Sequence, residues 1–276
     1  MIFAINKKLN EWPKYFFIGF VLLLVSCSSY NDVVKGDDYQ RKFDLANELF
    51  DNGDYLRSVT LYEQIYQRMP KSGEGELAYF RIGKSYYEAE DFPLAGYYLG
   101  AFTQRFPFSN KTQEAMFLSA MCAVNSSPDH TLDQSETELA ISYLQQFIDT
   151  YPQSNLVDSC NQTMDRLRYK LELKDYDGVK LYDKTENYRA AVMAANTFLQ
   201  DFPMSTHREE IAFILVQNSY LLTINSIENK KCERIDETKE RCYNFANEFP
   251  DSELIKSVDV ILKKMTQEFE VSCSNK

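Results

Sequence analysis

A tripeptide that recurs along the chain, Pro-x-Ser, constrains the fold more than any other feature of the sequence. Its five copies follow one another at separations of 37, 45, 51 and 47 residues, and an apolar residue precedes each proline. With that apolar residue included, the copies are Met69–Ser72, Phe106–Ser109, Tyr151–Ser154, Phe202–Ser205 and Phe249–Ser252. Intervals of this size are typical of proteins built from stacked pairs of helices.

The chemistry of the tripeptide explains why it marks the border between two helix pairs. Proline has no N–H and disfavours a helical residue before it, so a helix ends at this point. A serine two positions later can accept a hydrogen bond from a free N–H group at the start of the next helix. Glycine and proline are scarce, at 9 and 8 of 276 residues, which also favours a helical fold.

Between the tripeptides the sequence resembles the tetratricopeptide repeat. In the second repeat the matching residues are Tyr79, Ile82, Gly83, Tyr86, Phe92, Ala95, Leu99, Phe102 and Pro107. The resemblance implies that Gly83 and Ala95 lie where the two helices of the pair cross. A longer helix is expected over Asn155–Lys174, and the amphipathic segment Ser252–Glu268 has the pattern of a capping helix. We therefore expect an all-α, tetratricopeptide-like solenoid of about five helical hairpins with a C-terminal capping helix.

The first residues of the chain have the pattern of an export signal. Three lysines precede the apolar run Tyr15–Val25, whose 11 residues are too few for a bilayer-spanning helix of about 20. The run ends in Leu24–Cys27, which resembles the lipobox of bacterial lipoproteins. That resemblance implies cleavage before Cys27 and lipidation of this cysteine. The alternative is an ordinary cleaved signal followed by a chance cysteine.

These features divide the chain into four segments. They are a lipoprotein signal peptide (1–26), a lipidated tether (27–38), repeats 1–3 (39–152), and repeats 4–5 with a linking helix and the capping helix (153–276). Ser28 and Ser29 stand directly after Cys27, where an aspartate is associated with inner-membrane retention of lipoproteins in enteric bacteria. We therefore expect the mature chain at the outer membrane, with its repeats on the periplasmic face.

The charge and the cysteines limit the possible partners and cross-links. The formal net charge is −11 and no basic stripe interrupts it, so nucleic-acid binding is not expected. Cys122 and Cys160 lie in apolar helical patterns and are expected to be buried free thiols. The cysteine spacing indicates no disulfide framework, so Cys232 and Cys242 are left either as a pair or as two free thiols.

No constellation of residues in the sequence indicates catalysis. The two histidines, His130 and His207, are expected at solvated positions, and neither has partners at metal-ligand spacing. The sequence contains no Gly-x-Ser-x-Gly elbow and no glycine-rich phosphate loop. We therefore predict a protein that is not an enzyme and that uses neither a cofactor nor a metal.

One face of the expected solenoid is a candidate binding surface. The first helix of each pair lines this face, and such faces bind extended or helical peptides. Threading the repeat motif onto the first three repeats predicts eight residues there. They are Phe43, Asn47, Phe50, Phe80, Lys84, Tyr87, Phe117 and Met121. The alternative for any one of them is that it packs between helices.

The order of these features resembles the BamD family, the lipoprotein component of the machinery that assembles outer-membrane β-barrels. The likeness covers roughly Cys27–Phe269. It implies that Phe43–Tyr87 engages unfolded outer-membrane proteins and that about Lys180–Glu268 docks on the POTRA domains of the barrel-forming subunit. The lipid on Cys27 would hold the chain to the bilayer.

Two other functions fit part of the pattern. One is a repeat lipoprotein that coordinates peptidoglycan synthesis or envelope constriction. Such proteins share the repeats, but a lipobox followed by five units over the whole mature chain fits them less well. The other is a catalytic protein, such as a peptidoglycan hydrolase on a helical scaffold, for which the chain offers no spare length.

Overall fold

The computed structural model describes residues 30–273, in which every regular element is a helix. Helix α1 covers residues 30–35. The longer helices are α2 (Tyr39–Asp51), α3 (Tyr55–Arg68), α4 (Gly73–Glu88), α5 (Phe92–Arg105), α6 (Thr112–Ser126), α7 (Ser135–Thr150), α8 (Val157–Lys184), α9 (Tyr188–Asp201), α10 (Arg208–Ile224), α11 (Glu228–Glu248) and α12 (Ile255–Ser272). The predicted all-α architecture of successive helical hairpins is confirmed.

The helices form two compact units. The first contains α2 to α7, and in it each helix packs on the next one along the chain. The second contains residues 128–134 and the chain from Asn161 onward. In this unit α9 to α12 pack in the same successive way, and α8 joins α9 and α10 through Val179. First helices of neighbouring hairpins also touch, because α4 contacts both α2 and α6 in the first unit.

The Pro-x-Ser turns end helices as predicted. In four of them the residue before the proline is the helix C-cap, with φ between −131° and −121° and ψ between 52° and 65°. Where that residue is aromatic, it packs on a phenylalanine one helical turn earlier. The ring centroids are 5.0 Å apart for Phe102–Phe106, 5.5 Å for Phe147–Tyr151, 5.1 Å for Phe198–Phe202 and 5.2 Å for Phe245–Phe249. An aromatic pair therefore stabilises each of these helix ends.

The serine of the tripeptide makes a second hydrogen bond beside the expected one. In four of the five turns its hydroxyl accepts from the N–H two residues later, as from Lys111 N to Ser109 Oγ at 3.1 Å, whereas Ser72 accepts from Gly75 N three residues later. In three of the turns it also donates to a glutamate in the first helix of the preceding hairpin. The distances between hydroxyl and carboxylate are 2.5 Å for Ser109–Glu76, 2.6 Å for Ser205–Glu172 and 2.6 Å for Ser252–Glu209. Each of these serines caps one helix and ties it to the hairpin before it.

Gly83 lies where the two helices of the second repeat cross, as predicted. A Cβ atom on Gly83 would stand 2.8 Å from Leu99 Cγ and 3.2 Å from Leu99 N, closer than ordinary van der Waals contact. Ala95, on the facing helix α5, is fully buried. A residue without a side chain at position 83 is therefore what allows α4 and α5 to approach this closely.

Some segments differ from the sequence-based expectation. The signal peptide and Cys27 lie outside the described residues, but residues 30–35 of the expected tether form α1. They do so because Val33 buries its side chain in the core of the first repeat. Helix α8 continues to Lys184, beyond its expected end. The polar stretch Asn225–Asp236 of the fifth repeat is helical from Glu228, and its charges pair along the helix, as in Lys230–Glu233 at 3.1 Å.

Both possibilities that the sequence left open for Cys232 and Cys242, a pair or two free thiols, are wrong. A disulfide bond joins Cys232 to Cys273, with Cα atoms 5.8 Å apart, so pairing of Cys232 with Cys242 is wrong. The latter two lie on the same helix about 15 Å apart along its axis, whereas a disulfide spans at most about 7 Å between Cα atoms. Cys122 and Cys160 are buried free thiols as predicted, and so is Cys242. Burial raises the pKa of the Cys122 thiol to about 12.

Candidate peptide-binding groove

The first helices of repeats 1–3 are α2, α4 and α6, and they lie side by side in the first unit. Together they present one continuous face, which is the candidate groove. Seven of the eight residues that the sequence predicts for this face are partly exposed. The exception is Phe80, which is 2% exposed and packs edge-on against Phe102 with ring centroids 5.4 Å apart. The side chain of Phe80 therefore belongs to the core below the face.

Phe50 is fixed at the end of α2 by groups from two other helices. The ring of Tyr55 meets it edge-on, with centroids 5.5 Å apart. The guanidinium carbon of Arg81, on α4, lies 4.2 Å from the centre of the Phe50 ring. Arg81 also forms an ion pair with Asp51 at 3.7 Å. The exposed part of Phe50 is thus an aromatic surface next to a cation.

Asn47 offers a positioned amide between the aromatic residues of α2. The hydroxyl of Tyr62 donates a hydrogen bond to Asn47 Oδ1 at 2.7 Å. Tyr62 is fully buried, and burial raises the pKa of its hydroxyl, so this group stays protonated and keeps donating. The contact orients the amide of Asn47 so that its NH₂ group can donate to a bound chain. Phe43, one turn earlier, packs against the same core.

A cluster of charges joins α4 to α6. Lys84 Nζ lies 2.7 Å from Glu114 Oε1, and Lys111 Nζ lies 3.9 Å from Glu114 Oε2. Both ammonium groups also face the ring of Phe80, at 5.9 Å and 5.8 Å from its centre. Phe80 therefore supports the two cations from below. With two ammonium groups and one carboxylate, the cluster has a positive balance on a strongly acidic protein.

The remaining predicted residues extend the aromatic surface toward the third repeat. The Tyr87 ring meets the Phe92 ring edge-on, with centroids 5.8 Å apart. Burial raises the pKa of the Tyr87 hydroxyl as well. Phe117 meets Phe147 edge-on with centroids 5.6 Å apart. Met121 is half-buried one turn further along α6.

Three charged residues of this face, Arg81, Lys111 and Glu114, were absent from the sequence-based prediction. The sequence does contain a signal for them, namely charged residues spaced three apart, which share a helix face. Arg81 and Lys84 have this spacing on α4, and Lys111 and Glu114 have it at the start of α6. The repeat motif records only the residues that pack, so it passes over such positions. The face therefore combines aromatic rings with paired cations, which suits a chain bearing apolar side chains and a carboxylate.

Both histidines belong to the second unit, and neither is freely solvated as expected. In the second unit His207 stacks on the ring of Tyr176 at 4.2 Å, because α8 is long enough to cover it. His130 Nε2 lies 3.0 Å from Asp177 Oδ2. Within residues 30–273, no three histidine, cysteine or acidic side chains are grouped in a way that could hold a metal ion. Nor does any helix of this region have the length and apolarity needed to cross a bilayer.

Comparison with known proteins points to the envelope. The outer membrane protein assembly factor BamD of Caulobacter vibrioides is 21% identical over 63% of this chain, and the match spans 57% of that protein's length. The outer membrane protein assembly factor BamD of Pasteurella multocida is 19% identical over 80% of this chain and 88% of its own length. Residues 37–235 match the YfiO family, described as outer membrane lipoprotein. This stretch covers well over half of the chain, which therefore belongs to the YfiO family of outer membrane lipoproteins.

Proposed function

We propose that this chain is a non-catalytic lipoprotein scaffold of the outer-membrane β-barrel assembly complex. Its anchor is the lipid on Cys27, and its repeats lie on the periplasmic face of the outer membrane. Membership of the YfiO family and the names of both relatives support the assembly role. The observation that carries the substrate assignment is the face of α2, α4 and α6, where aromatic rings alternate with Arg81, Lys84 and Lys111.

The chemistry of this face indicates the segment that it binds. Unfolded outer-membrane proteins expose strands with apolar and aromatic side chains, and their chain end is a carboxylate. Phe50 and Tyr87 would contact the apolar side chains, since aromatic side chains supply large contact areas at protein interfaces. Lys84 and Lys111 would pair with the terminal carboxylate, in exchange for part of their contact with Glu114. We therefore propose the C-terminal segment of an incoming barrel protein as the ligand.

Binding of a labelled peptide with an aromatic C-terminal residue tests this assignment. Replacing Phe50 and Tyr87 together by alanine should weaken binding by roughly tenfold or more, because interface anchors cost at least 1–2 kcal/mol each when truncated. The matched control is Phe108→Ala, which removes a fully exposed aromatic ring of the same unit outside α2, α4 and α6. Unchanged affinity of the double variant, with its helicity intact by circular dichroism, would show that the groove is assigned wrongly.

The carboxylate contact has its own test. A peptide amidated at its C-terminus should bind the native protein more weakly than the free acid. The variant Lys84→Met, which keeps the length of the side chain and removes the charge, should bind the two peptides more nearly alike. Equal affinity of the native protein for both peptides would exclude the cation pair as the carboxylate site and leave the aromatic contacts standing.

The second unit is proposed as the surface that docks the POTRA-containing barrel subunit, over about Lys180–Glu268. A cavity of about 390 Å³ between α9, α10 and α11 is lined by Glu237, Glu240, Glu248 and Arg241. Arg241 pairs with Glu237 at 3.4 Å and Arg208 pairs with Glu248 at 2.7 Å, so the surface keeps a small acidic surplus that fits a basic partner face. Cross-linking after gentle detergent extraction should join this region to the barrel subunit. Recovery of peptidoglycan synthases or division proteins instead would replace the assembly role by a role in envelope constriction.

A further inference from the structure

Helix α1 fixes the point at which the chain leaves the first repeat toward its anchor. The Tyr30 hydroxyl donates to the carbonyl oxygen of Arg57 at 3.1 Å, and the Arg57 guanidinium lies 4.1 Å from the centre of the Tyr30 ring. Val33 is buried in the core, and Lys42 Nζ donates to the carbonyl oxygen of Val34 at 3.0 Å. These contacts hold α1 against the repeat, with Tyr30 beside the N-terminal end of α3.

The length of chain between Tyr30 and the anchor limits where the bilayer can be. Cys27 precedes Tyr30 by three residues, and a peptide spans at most about 3.6 Å per residue. The lipidated cysteine therefore lies within about 11 Å of Tyr30 whatever the conformation between them. This step rests on the proposed lipidation of Cys27. It brings the membrane surface to the edge of the first unit where α2 turns into α3.

Exposed apolar side chains of the first unit lie on its second helices α3, α5 and α7, which begin at this edge. Leu56 is 63% exposed and is the second residue of α3. The other members also lie in the first nine residues of a second helix, on α5 or α7. They are Leu94, Tyr97, Leu139 and Tyr143. Leucine and tyrosine are suited to the interface between lipid headgroups and acyl chains. The opposite edge is the one at which the second helices end. Among the described residues of this unit, Phe108 is the large apolar side chain exposed there.

We propose that this surface, made by Leu56, Leu94, Tyr97, Leu139 and Tyr143 and called the lipid-facing edge, rests on the lipid bilayer. The short link to Cys27 brings the edge to the membrane, and the apolar side chains enter the headgroup region. The first helices α2, α4 and α6 then stay clear of the lipid, so the candidate groove remains open to an incoming chain.

The charges of the two edges distinguish this orientation from the reverse one, in which the opposite edge would face the bilayer. The turns at the lipid-facing edge carry Asp51, Asp54, Glu88, Glu90 and Asp91 beside Arg57, whereas the opposite edge carries Arg68, Lys71, Arg105 and Lys111 beside Glu74, Glu76 and Glu114. Anionic lipid would repel the first group and attract the second. Asp54 and Asp51 are paired with arginines at 2.9 Å and 3.7 Å, which lessens the repulsion without removing it. The proposed contact is therefore apolar, and anionic lipid does not strengthen it.

Tryptophan fluorescence can report which edge meets the lipid. The single tryptophan of the chain precedes the expected cleavage site, so the mature protein has none. The full chain is expressed with Leu56→Trp or with Phe108→Trp, purified in detergent, and reconstituted in phosphatidylcholine vesicles with or without lipids brominated near the headgroup. Both positions are highly exposed, so neither substitution disturbs the core. The L56W emission should shift to the blue and be lost with brominated lipid, whereas that of F108W should persist.

Two controls separate failure of this orientation from failure of the anchor. The native protein should float with the vesicles and Cys27→Ser should not. A native protein that does not float would overturn the anchor, and the orientation with it. Flotation of the native protein combined with equal or stronger quenching of F108W would overturn the orientation alone. Stronger quenching of L56W on adding phosphatidylglycerol would show that the contact is electrostatic, which also contradicts the proposal.

Discussion

The substitution Gly75→Ala tests how tightly the first Pro-x-Ser turn is built. Gly75 lies in the first turn of α4, and a Cβ atom on it would stand 1.9 Å from the carbonyl oxygen of Met69 and 2.8 Å from its carbonyl carbon. Both are backbone atoms, so no side-chain rotation relieves the clash. Gly73, two residues earlier in the same turn, has no atom within 4 Å of such a Cβ. Gly73→Ala is therefore the matched control.

The contacts of this turn give the size of the expected effect. The Met69 oxygen accepts from both the N–H and the hydroxyl of Ser72 at 3.1 Å, and the same hydroxyl accepts from Gly75 N at 3.0 Å. Moving the carbonyl by more than an ångström breaks one or two of these bonds, at about 0.5–1.5 kcal/mol each. Overpacking typically costs about 1–3 kcal/mol, and the better helix propensity of alanine offsets up to about 1 kcal/mol. We expect a net loss of roughly 1–3 kcal/mol.

Thermal and urea unfolding, followed by circular dichroism at the helical band, measure this loss. Gly75→Ala should lower Tm by roughly 2–12 °C, given about 2–4 °C per kcal/mol for a chain of this size. Gly73→Ala should leave Tm unchanged or raise it slightly, because alanine restricts the unfolded chain more than glycine does. If the two variants are equally stable, the first turn of α4 accommodates the added methyl group without cost, and the predicted clash with Met69 is wrong.

Three further perturbations follow from single contacts. Replacing Cys232 and Cys273 together by serine should cost about 2–4 kcal/mol, seen as a lower urea midpoint that reductant no longer changes. Ser109→Ala should cost about 1–2 kcal/mol in the same assay, because it removes a helix cap and a hydrogen bond to a carboxylate. Lys231 holds the pKa of the Glu268 carboxyl below its ordinary 4.5. The pair therefore stabilises the fold above about pH 4.5, and this contribution is lost as the pH falls through the lowered pKa. Glu268→Gln should therefore show a shallower loss of Tm on acidification than the native protein, and an equally steep loss would contradict the assignment.

The fold was predictable because its main signal is local. Proline at 107 stops a helix whatever surrounds it, and Phe102 lies one turn before the C-cap that contacts it. The crossing at Gly83 was predictable for a similar reason, since a small residue in the repeat motif marks a close approach. The second bond of Ser109, to Glu76, was missed because the two residues are 33 positions apart and only the stacking of hairpins brings them together.

Features that depend on how helices return onto one another could not be predicted. The pairing of Cys232 with Cys273 requires α12 to lie antiparallel along α11, so that a cysteine at the end of one helix meets a cysteine near the start of the other. Phe80 and Arg81 are neighbours in sequence, yet one is buried under the groove and the other covers Phe50 from a different helix. A repeat motif gives the positions that pack, but it does not give the partner that covers an exposed ring.

The charge distribution connects the candidate groove with the acidity of the chain. A net charge of −11 repels a peptide carboxylate over most of the surface, whereas Lys84 and Lys111 present two cations against the single carboxylate of Glu114. A chain end that diffuses near the protein is therefore attracted at one face and repelled elsewhere, which orients it before contact. Because exposed charges are screened within about 8 Å at physiological ionic strength, this guidance acts only at close range and the aromatic rings must supply the rest of the affinity. Salt should accordingly slow the association of a free-acid peptide more than it speeds the dissociation, as electrostatic steering requires.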